Sequence, residues 1–368
     1  MSSDLSRVRG FDGLRGLAAI AVFIEHKVRS GHGLGGLGVL LFFALSGFLI
    51  VGILHEQRTH IETGASGVRK EIVKFWARRA LRIFPLYYAM LILICGYLLL
   101  KGKGILSSGI PWYAAYLSNF FIAHVAHGWS KFSHLWSLSV EQQFYLAAAP
   151  VFLCFPLIRH RPILLATLAG AALTLLLSAV LFDDAISLYL SPLPNFGVMA
   201  IGGMLALEAK QWAWTARRWN AVLVSGLLTV PAIVGIEHAI VRIERLGMPD
   251  PVQLVALRVL LSYWFAFCVI GYVSMRQDSR ITRLLSLRSL AYIGTVSYGF
   301  YVFHLFSPSY DFVMRALRLP PLPGLVREYW FLAQFLMTLA AASLSWHFFE
   351  APILRLKHSY RFRNIATG

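Results

Sequence analysis

A chain of 368 residues that is 58% hydrophobic and only 14% charged carries too little charge for a soluble globular domain, where about 45–50% apolar and about 25% charged are usual. The formal net charge of +17 does not indicate nucleic acid, because the cations fall in short loops between apolar runs and no soluble domain carries them. The class these numbers leave is an all-α, polytopic membrane protein whose basic loops hold orientation and contact the anionic headgroups of membrane lipids.

About ten transmembrane helices are predicted, over about 12–28, 36–54, 84–100, 138–158, 162–181, 190–208, 219–237, 253–275, 290–307 and 328–350. The stretch 112–125 is apolar but short, and reads as a re-entrant or interfacial piece. With the N- and C-termini both cytoplasmic, 22 cations fall on cytoplasmic segments and 10 on outer ones, as the positive-inside rule asks. A full span at 112–125 would flip every later loop and move the basic clusters outside. Arg15 and Arg258 lie within spans and complete the 34, with Lys27 at the outer end of the first span counted as outside. The expected organisation is one membrane domain, 1–368, with a transmembrane core at about 12–350, a basic cytoplasmic loop at 55–83 and a cytoplasmic tail at 351–368. No internal repeat is visible, and the first apolar run has no small-residue cleavage site that would make it a removable leader.

The first span, FDGLRGLAAIAVFIEHKV, places Arg15 and His26 11 residues apart. That is almost three helical turns, so both lie on one face, roughly 16 Å apart along the axis. Either the two snorkel to opposite interfaces, or they face the protein interior and work there.

The loop after the second span holds Arg78, Arg79 and Arg82 on an expected interfacial helix, with Arg78/Arg82 at i,i+4 and Arg79/Arg82 at i,i+3. Like charges at this spacing destabilise a bare helix by a few tenths of a kcal/mol per pair, so an anion should offset them. Lipid phosphate is one candidate and a phosphorylated substrate the other, since guanidinium forks match phosphate oxygens. Pro85 is expected to sharpen the turn into the third span.

In HLWSLSVEQQFYL, residues 134–146, Ser137, Glu141 and Tyr145 share a helix face at i, i+4 and i+8. An interfacial helix start, with Trp136 in the aromatic belt and Ser137 as N-cap, accounts for the first turn. It accounts less well for Glu141, a turn deeper, which is expensive in lipid unless paired or facing water. In GTVSYGFYVFH, residues 294–304, Gly294, Ser297, Tyr301 and His304 line one face with Tyr298 beside them. His304 reads equally as a hydrogen-bonded structural residue or a functional one. His347 and Glu350 read as a structural ion pair. His124 and His127 have ligand spacing but lack further partners, so no metal is expected. Cys95, Cys154 and Cys268 sit in apolar spans and read as buried thiols.

On this topology His26, Glu141 and His304 fall toward the outer leaflet, and Arg15, Arg78, Arg79 and Arg82 toward the cytoplasm. A donor with a phosphorylated head and a long thin arm could bind inside and deliver its reactive end outward. An imidazole with a carboxylate to orient it suits deprotonation of a hydroxyl nucleophile. A proton relay in a transporter or flippase of glycan precursors, or a scaffold, remains open from these residues.

At these residues the chain resembles the acyltransferase-3 family of integral-membrane O-acyltransferases. The matching motifs are FDGLRGLAAIAV with His26, FFALSGFLI at 42–50, FWARRALRIFPLYY at 75–88, HLWSLSVEQQFYL, SYGFYVFH at 297–304 and FFEAP at 348–352. Gln142 stands where many members show Glu. The resemblance implies transfer of an acyl group, usually acetyl from acetyl-CoA, to a hydroxyl of a cell-surface polysaccharide, lipopolysaccharide or lipid-linked sugar, or of a macrolide, at the bacterial inner membrane. By position it implies His26 as catalytic, with Glu141 beside it. Arg15, Arg78, Arg79 and Arg82 become acyl-CoA-binding residues, and Asp12, Ser46, Trp136, Ser137, Tyr145, Tyr298 and His304 further motif positions.

Overall fold

The computed structural model describes residues 8–28, 31–106, 108–130, 132–208, 211–212, 214–248, 251–318, 320 and 324–355. Four cations of the topology count, Arg7, Arg29, Lys131 and Lys210, and the expected tail beyond 355 lie outside them. Among the described residues every regular element is helical.

Six helices are long and apolar enough to cross a membrane: Leu34–Glu62, Val68–Leu100, Ala185–Glu208 with a brief break near Ser191, Ala216–Arg245, Val252–Met275 and Trp330–Arg355. The other four expected spans are helical but fall short of that standard. Phe11–Lys27 and His160–Leu176 have 17 residues each. Trp136–Cys154 carries Glu141, Gln142 and Gln143. The ninth is broken into Arg288–Thr295, Ser297–Phe303 and a tight turn at His304–Phe306. The 112–125 region forms the short pieces Ile110–Ala114, Ser118–Phe121 and Ile122–Ala126.

Leu34–Glu62 is the central helix: 83% of its most apolar stretch is buried, against 17% in Trp330–Arg355. Two identical apolar surfaces gain nothing by leaving lipid for each other, so packing here relies on small residues that let backbones approach. A Cβ on Gly47 would run into the Met199 backbone carbonyl, and one on Gly202 into that of Ala44. The first helix docks in the same way, through Gly13 against the Leu285 backbone and Gly294 against that of Asp12. Outward-facing Leu228 and Leu336, 71% and 63% exposed, present apolar surface to the surroundings.

Local expectations are corrected at four places. Pro85 does not turn the chain; it lies inside the continuous helix Val68–Leu100. One backbone bond is lost at a proline, and Tyr298 Oη donates to the nearby Ile83 carbonyl at 2.7 Å. Ser137 is not an N-cap, because the helix begins at Trp136 with Leu135 before it. Cys154 is exposed at the last residue of its helix. His347 and Glu350 are not an ion pair. They sit in a widened π-helical turn, Trp346–Glu350, that leaves His347 exposed and bonded to the Ser343 carbonyl, while Glu350 turns inward to accept from Ser345 Oγ at 2.8 Å.

The glycine contacts set a stability test. Gly47→Val should lower the thermal unfolding midpoint in detergent by the equivalent of about 1–3 kcal/mol, the usual cost of overpacking. Gly235→Ala, whose Cβ would meet open space, should leave the midpoint unchanged or raise it. Equal midpoints for Gly47→Val and the parent would show that the two backbones do not meet there.

Candidate active site

Two cavities open within the bundle, and the first helix runs from one to the other. Arg15 lines a narrow one of about 110 Å³ and His26 a wide one of about 450 Å³. The 11-residue spacing therefore does what the helix geometry required: one face, two ends. Neither residue simply snorkels, since both line protein-walled space.

In the wide cavity, His26 Nδ1 lies 2.9 Å from the Val22 carbonyl oxygen and 3.3 Å from His304 Nε2. A carbonyl only accepts, so Nδ1 carries the proton and His26 Nε2 is left with a lone pair. The same logic fixes its neighbour. His304 Nδ1 is 2.5 Å from the Tyr301 carbonyl, so it donates there and presents Nε2 to accept from His26. His134 completes the cluster, its ring 5.2 Å from that of His304. Trp136 lines this cavity too, its ring 5.0 Å from that of Tyr189.

Glu141 is not beside His26. It lines the narrow cavity, where Ser46 Oγ donates to its Oε1 at 2.5 Å and Tyr145 Oη donates to the same oxygen. Trp136 opens its helix at the wide cavity, and five residues of helix advance about 7.5 Å, enough to carry Glu141 into the other chamber. Ser137, Glu141 and Tyr145 do share one face, as their spacing required, and all three line the narrow cavity with Ser46 and Tyr298. Ser137 Oγ meets Tyr301 Oη at 2.7 Å, and Tyr301 Oη donates to the His134 carbonyl at 2.7 Å.

Arg15, Arg79 and Arg82 converge on the same narrow space. Arg15 Nη1 bonds Asp12 at 2.8 Å. Arg79 stands over the rings of Phe75 and Tyr145, 5.7 and 5.8 Å away, and its buried Nε has no hydrogen-bond partner among the described residues. Three guanidiniums facing one carboxylate leave the chamber cationic. Arg78 points elsewhere: with Arg79, Lys74 and His60 it lines a third cavity of about 260 Å³. Arg79 thus belongs to both basic chambers and joins them.

The wide and narrow cavities share two lining residues, Val39 and Tyr301. Sequence reasoning placed Tyr301 on a polar face without giving it a role, and Val39 gave no signal. It also passed over Glu237, Tyr189 and Trp129, which line the wide cavity with Arg258. Arg258, a cation within a span, was the signal that could have led to them.

The chain is 27% identical over 362 residues to an O-acetyltransferase OatA of Staphylococcus aureus, covering 94% of this chain and 57% of that protein. It is 28% identical over 372 residues to the peptidoglycan O-acetyltransferase OatA of Listeria monocytogenes, covering 94% and 56%. It is 26% identical over 365 residues to the putative peptidoglycan O-acetyltransferase YrhL of Bacillus subtilis, covering 94% and 55%. The chain therefore spans a little over half the length of these relatives. No solved structure matches it. The acyltransferase-3 family, an acyltransferase domain, matches residues 8–349, a stretch that contains the lining of all three cavities, and the chain belongs to that family.

Proposed function

We propose that the protein is a multi-pass membrane O-acyltransferase that moves an acyl group, acetyl in the simplest case, from acyl-CoA to a hydroxyl of a cell-envelope glycan. The observation that carries this reading is the pairing of a narrow, cationic chamber with a wide chamber holding a histidine of defined tautomer, separated by Val39 and Tyr301. The relatives' names, O-acetyltransferase and peptidoglycan O-acetyltransferase, support acetyl and a glycan.

The donor enters from the cytoplasmic side. Its phosphates lie against Arg78 and Arg79 in the basic chamber, and its thin pantetheine arm follows Arg79, Arg82 and Arg15 through the narrow one. The thioester reaches the Val39–Tyr301 wall. The acceptor hydroxyl stands in the wide chamber and gives its proton to His26 Nε2 as its oxygen attacks the thioester carbonyl carbon. The tetrahedral intermediate collapses, the C–S bond breaks, and the imidazolium returns the proton to the departing thiolate. His304 accepts from His26 Nδ1 and holds the ring in register. Glu141, held by Ser46 and Tyr145, balances guanidinium charge along the donor path.

Three outcomes test this in purified protein with radiolabelled acetyl-CoA and envelope glycans. His26→Ala should lower transfer by about 10²–10⁴-fold, the range for loss of a general base, with an unchanged unfolding midpoint; a folded variant with full activity would rule the mechanism out. Charge reversal at Arg78 and Arg79 should chiefly raise the KM for acetyl-CoA, and an unchanged KM would move the donor elsewhere. Glu141→Gln should also act on the donor KM and leave the pH profile of kcat in place. A displaced profile would mean that Glu141 acts on His26 after all.

A further inference from the structure

Attack on a thioester carbonyl turns its oxygen into an anion, and an anion inside a protein is best met by a hydrogen-bond donor already in place. The three imidazoles of the wide cavity do not supply one. His26 presents the lone pair of Nε2, and His304 Nε2 accepts from His26 Nδ1. His134 Nε2 lies 3.4 Å from the Val302 carbonyl oxygen and donates there. Its Nδ1 is then also a lone pair, buried and without a partner among the described residues.

Donors stand at the wall between the chambers. Of the two residues that line both cavities, Val39 is apolar and Tyr301 carries a hydroxyl. That hydroxyl belongs to a triangle of oxygens. Tyr301 Oη is 2.7 Å from Ser137 Oγ and 2.7 Å from the His134 carbonyl oxygen, and Ser137 Oγ is 3.3 Å from the same carbonyl. Two hydroxyl protons are thus held beside one fixed acceptor. When Ser137 donates to the carbonyl, the Tyr301 proton is free to turn to another oxygen, and only O–H bonds rotate. Ser137 also lines the narrow chamber, which puts the pair on the side from which the donor arrives. Phe42 packs against the Tyr301 ring at 6.2 Å, and the Tyr301 backbone carbonyl takes the proton of His304 Nδ1. One residue therefore ties the hydroxyl pair to the imidazoles.

We infer that the Tyr301 hydroxyl is a catalytic hydrogen-bond donor to the oxyanion of the acyl-transfer intermediate, with Ser137 as the positioning residue that frees its proton. This rests on the O-acyltransferase reading and adds the group that steadies its transition state. The acceptor oxygen bonds to the thioester carbonyl carbon, its proton passes to His26 Nε2, and the C=O π pair moves onto the carbonyl oxygen. Tyr301 donates a hydrogen bond to that oxygen and keeps its own proton. The electron pair then re-forms C=O, the C–S pair leaves on sulfur, and the thiolate takes the proton from His26. Ser137 meanwhile donates to the His134 carbonyl in place of Tyr301, so no buried acceptor is left unpaired, which would cost free energy.

Steady-state transfer from acetyl-CoA to envelope glycans by the purified full chain tests the role. Tyr301→Phe keeps the ring and the backbone carbonyl that holds His304. It should lower kcat by about 10²–10³-fold, the usual loss with one oxyanion donor. The KM for acetyl-CoA, the pH profile of kcat and the unfolding midpoint should stay those of the parent. Ser137→Ala should lower kcat by less, because the Tyr301 proton is then drawn to the His134 carbonyl. 3-Fluorotyrosine introduced at position 301 is a more acidic phenol of nearly the same size, and should hold kcat at or above the parent value. An undiminished kcat in Tyr301→Phe, a loss confined to KM, or a displaced pH profile would overturn the assignment. A kcat below the parent's with 3-fluorotyrosine would overturn it too, and that comparison stands even where Tyr301→Phe does not fold. The two failures are distinguishable. Transfer lost in His26→Ala but undiminished in Tyr301→Phe would sink the oxyanion donor alone. Transfer intact in His26→Ala with kcat lost in Tyr301→Phe would sink the general base and leave the donor, and a parent that transfers nothing would sink both.

Discussion

The structure depends on keeping guanidinium groups out of lipid. An arginine at the centre of a membrane-spanning helix costs about 2.5–3.5 kcal/mol on insertion scales, and more when isolated. This chain carries Arg15, Arg79, Arg82 and Arg258 facing internal cavities. The bundle has to enclose them, and with no hydrophobic force between helices in lipid it does so by close backbone approach. Gly47 and Gly202 bring the central helix against its neighbour, and Gly13 and Gly294 hold the first helix at the cavity wall. Remove that approach and both chambers widen to lipid. The glycines and the arginines are two halves of one requirement.

Within that enclosure the division of polar groups is uneven in a way that chemistry can use. The narrow chamber gathers three guanidiniums around one carboxylate, and the carboxylate is pinned by two hydroxyls. The wide chamber gathers imidazoles whose hydrogen bonds run in one direction, from His26 to His304 and from His304 to a backbone carbonyl. Charge that attracts an anion and a lone pair that takes a proton are kept apart, with Val39 and Tyr301 common to both walls. Had Glu141 bonded His26, as leaflet assignment alone suggested, the cationic chamber would have lost the one carboxylate that lines it.

Periodicity made much of the site legible. Arg15 and His26 on one face, and Ser137, Glu141 and Tyr145 on another, follow from 3.6 residues per turn, and the cavities use those faces. Periodicity gives a direction around an axis but not which neighbour stands there, so it could not say that Glu141 meets Ser46 from a helix 95 positions away in sequence. Depth was the second weak point. Counting apolar residues places a span but not its entry, and an error of one turn, about 5.4 Å, moves a side chain between chambers. Breaks were the third. Nothing in GTVSYGFYVFH shows that the helix is interrupted before Ser297 and tightens at His304, yet that tightening turns the His304 ring toward His26. Arg258 was visible as a charge inside a span, while Glu237 and Tyr189 belong to no motif and join it only in three dimensions.

The central claim is that donor and acceptor occupy chambers on opposite sides of one wall. Sealed proteoliposomes containing the protein in a single orientation test it most directly. Acetyl-CoA, which does not cross the bilayer, would be supplied on the side of the Arg78–Arg79 chamber and a membrane-impermeant glycan acceptor on the other, with acetylated glycan as the readout. The account expects product in this arrangement and none when both substrates are on the same side. Product formed with donor and acceptor together on one side, at the rate seen across the bilayer, would contradict it.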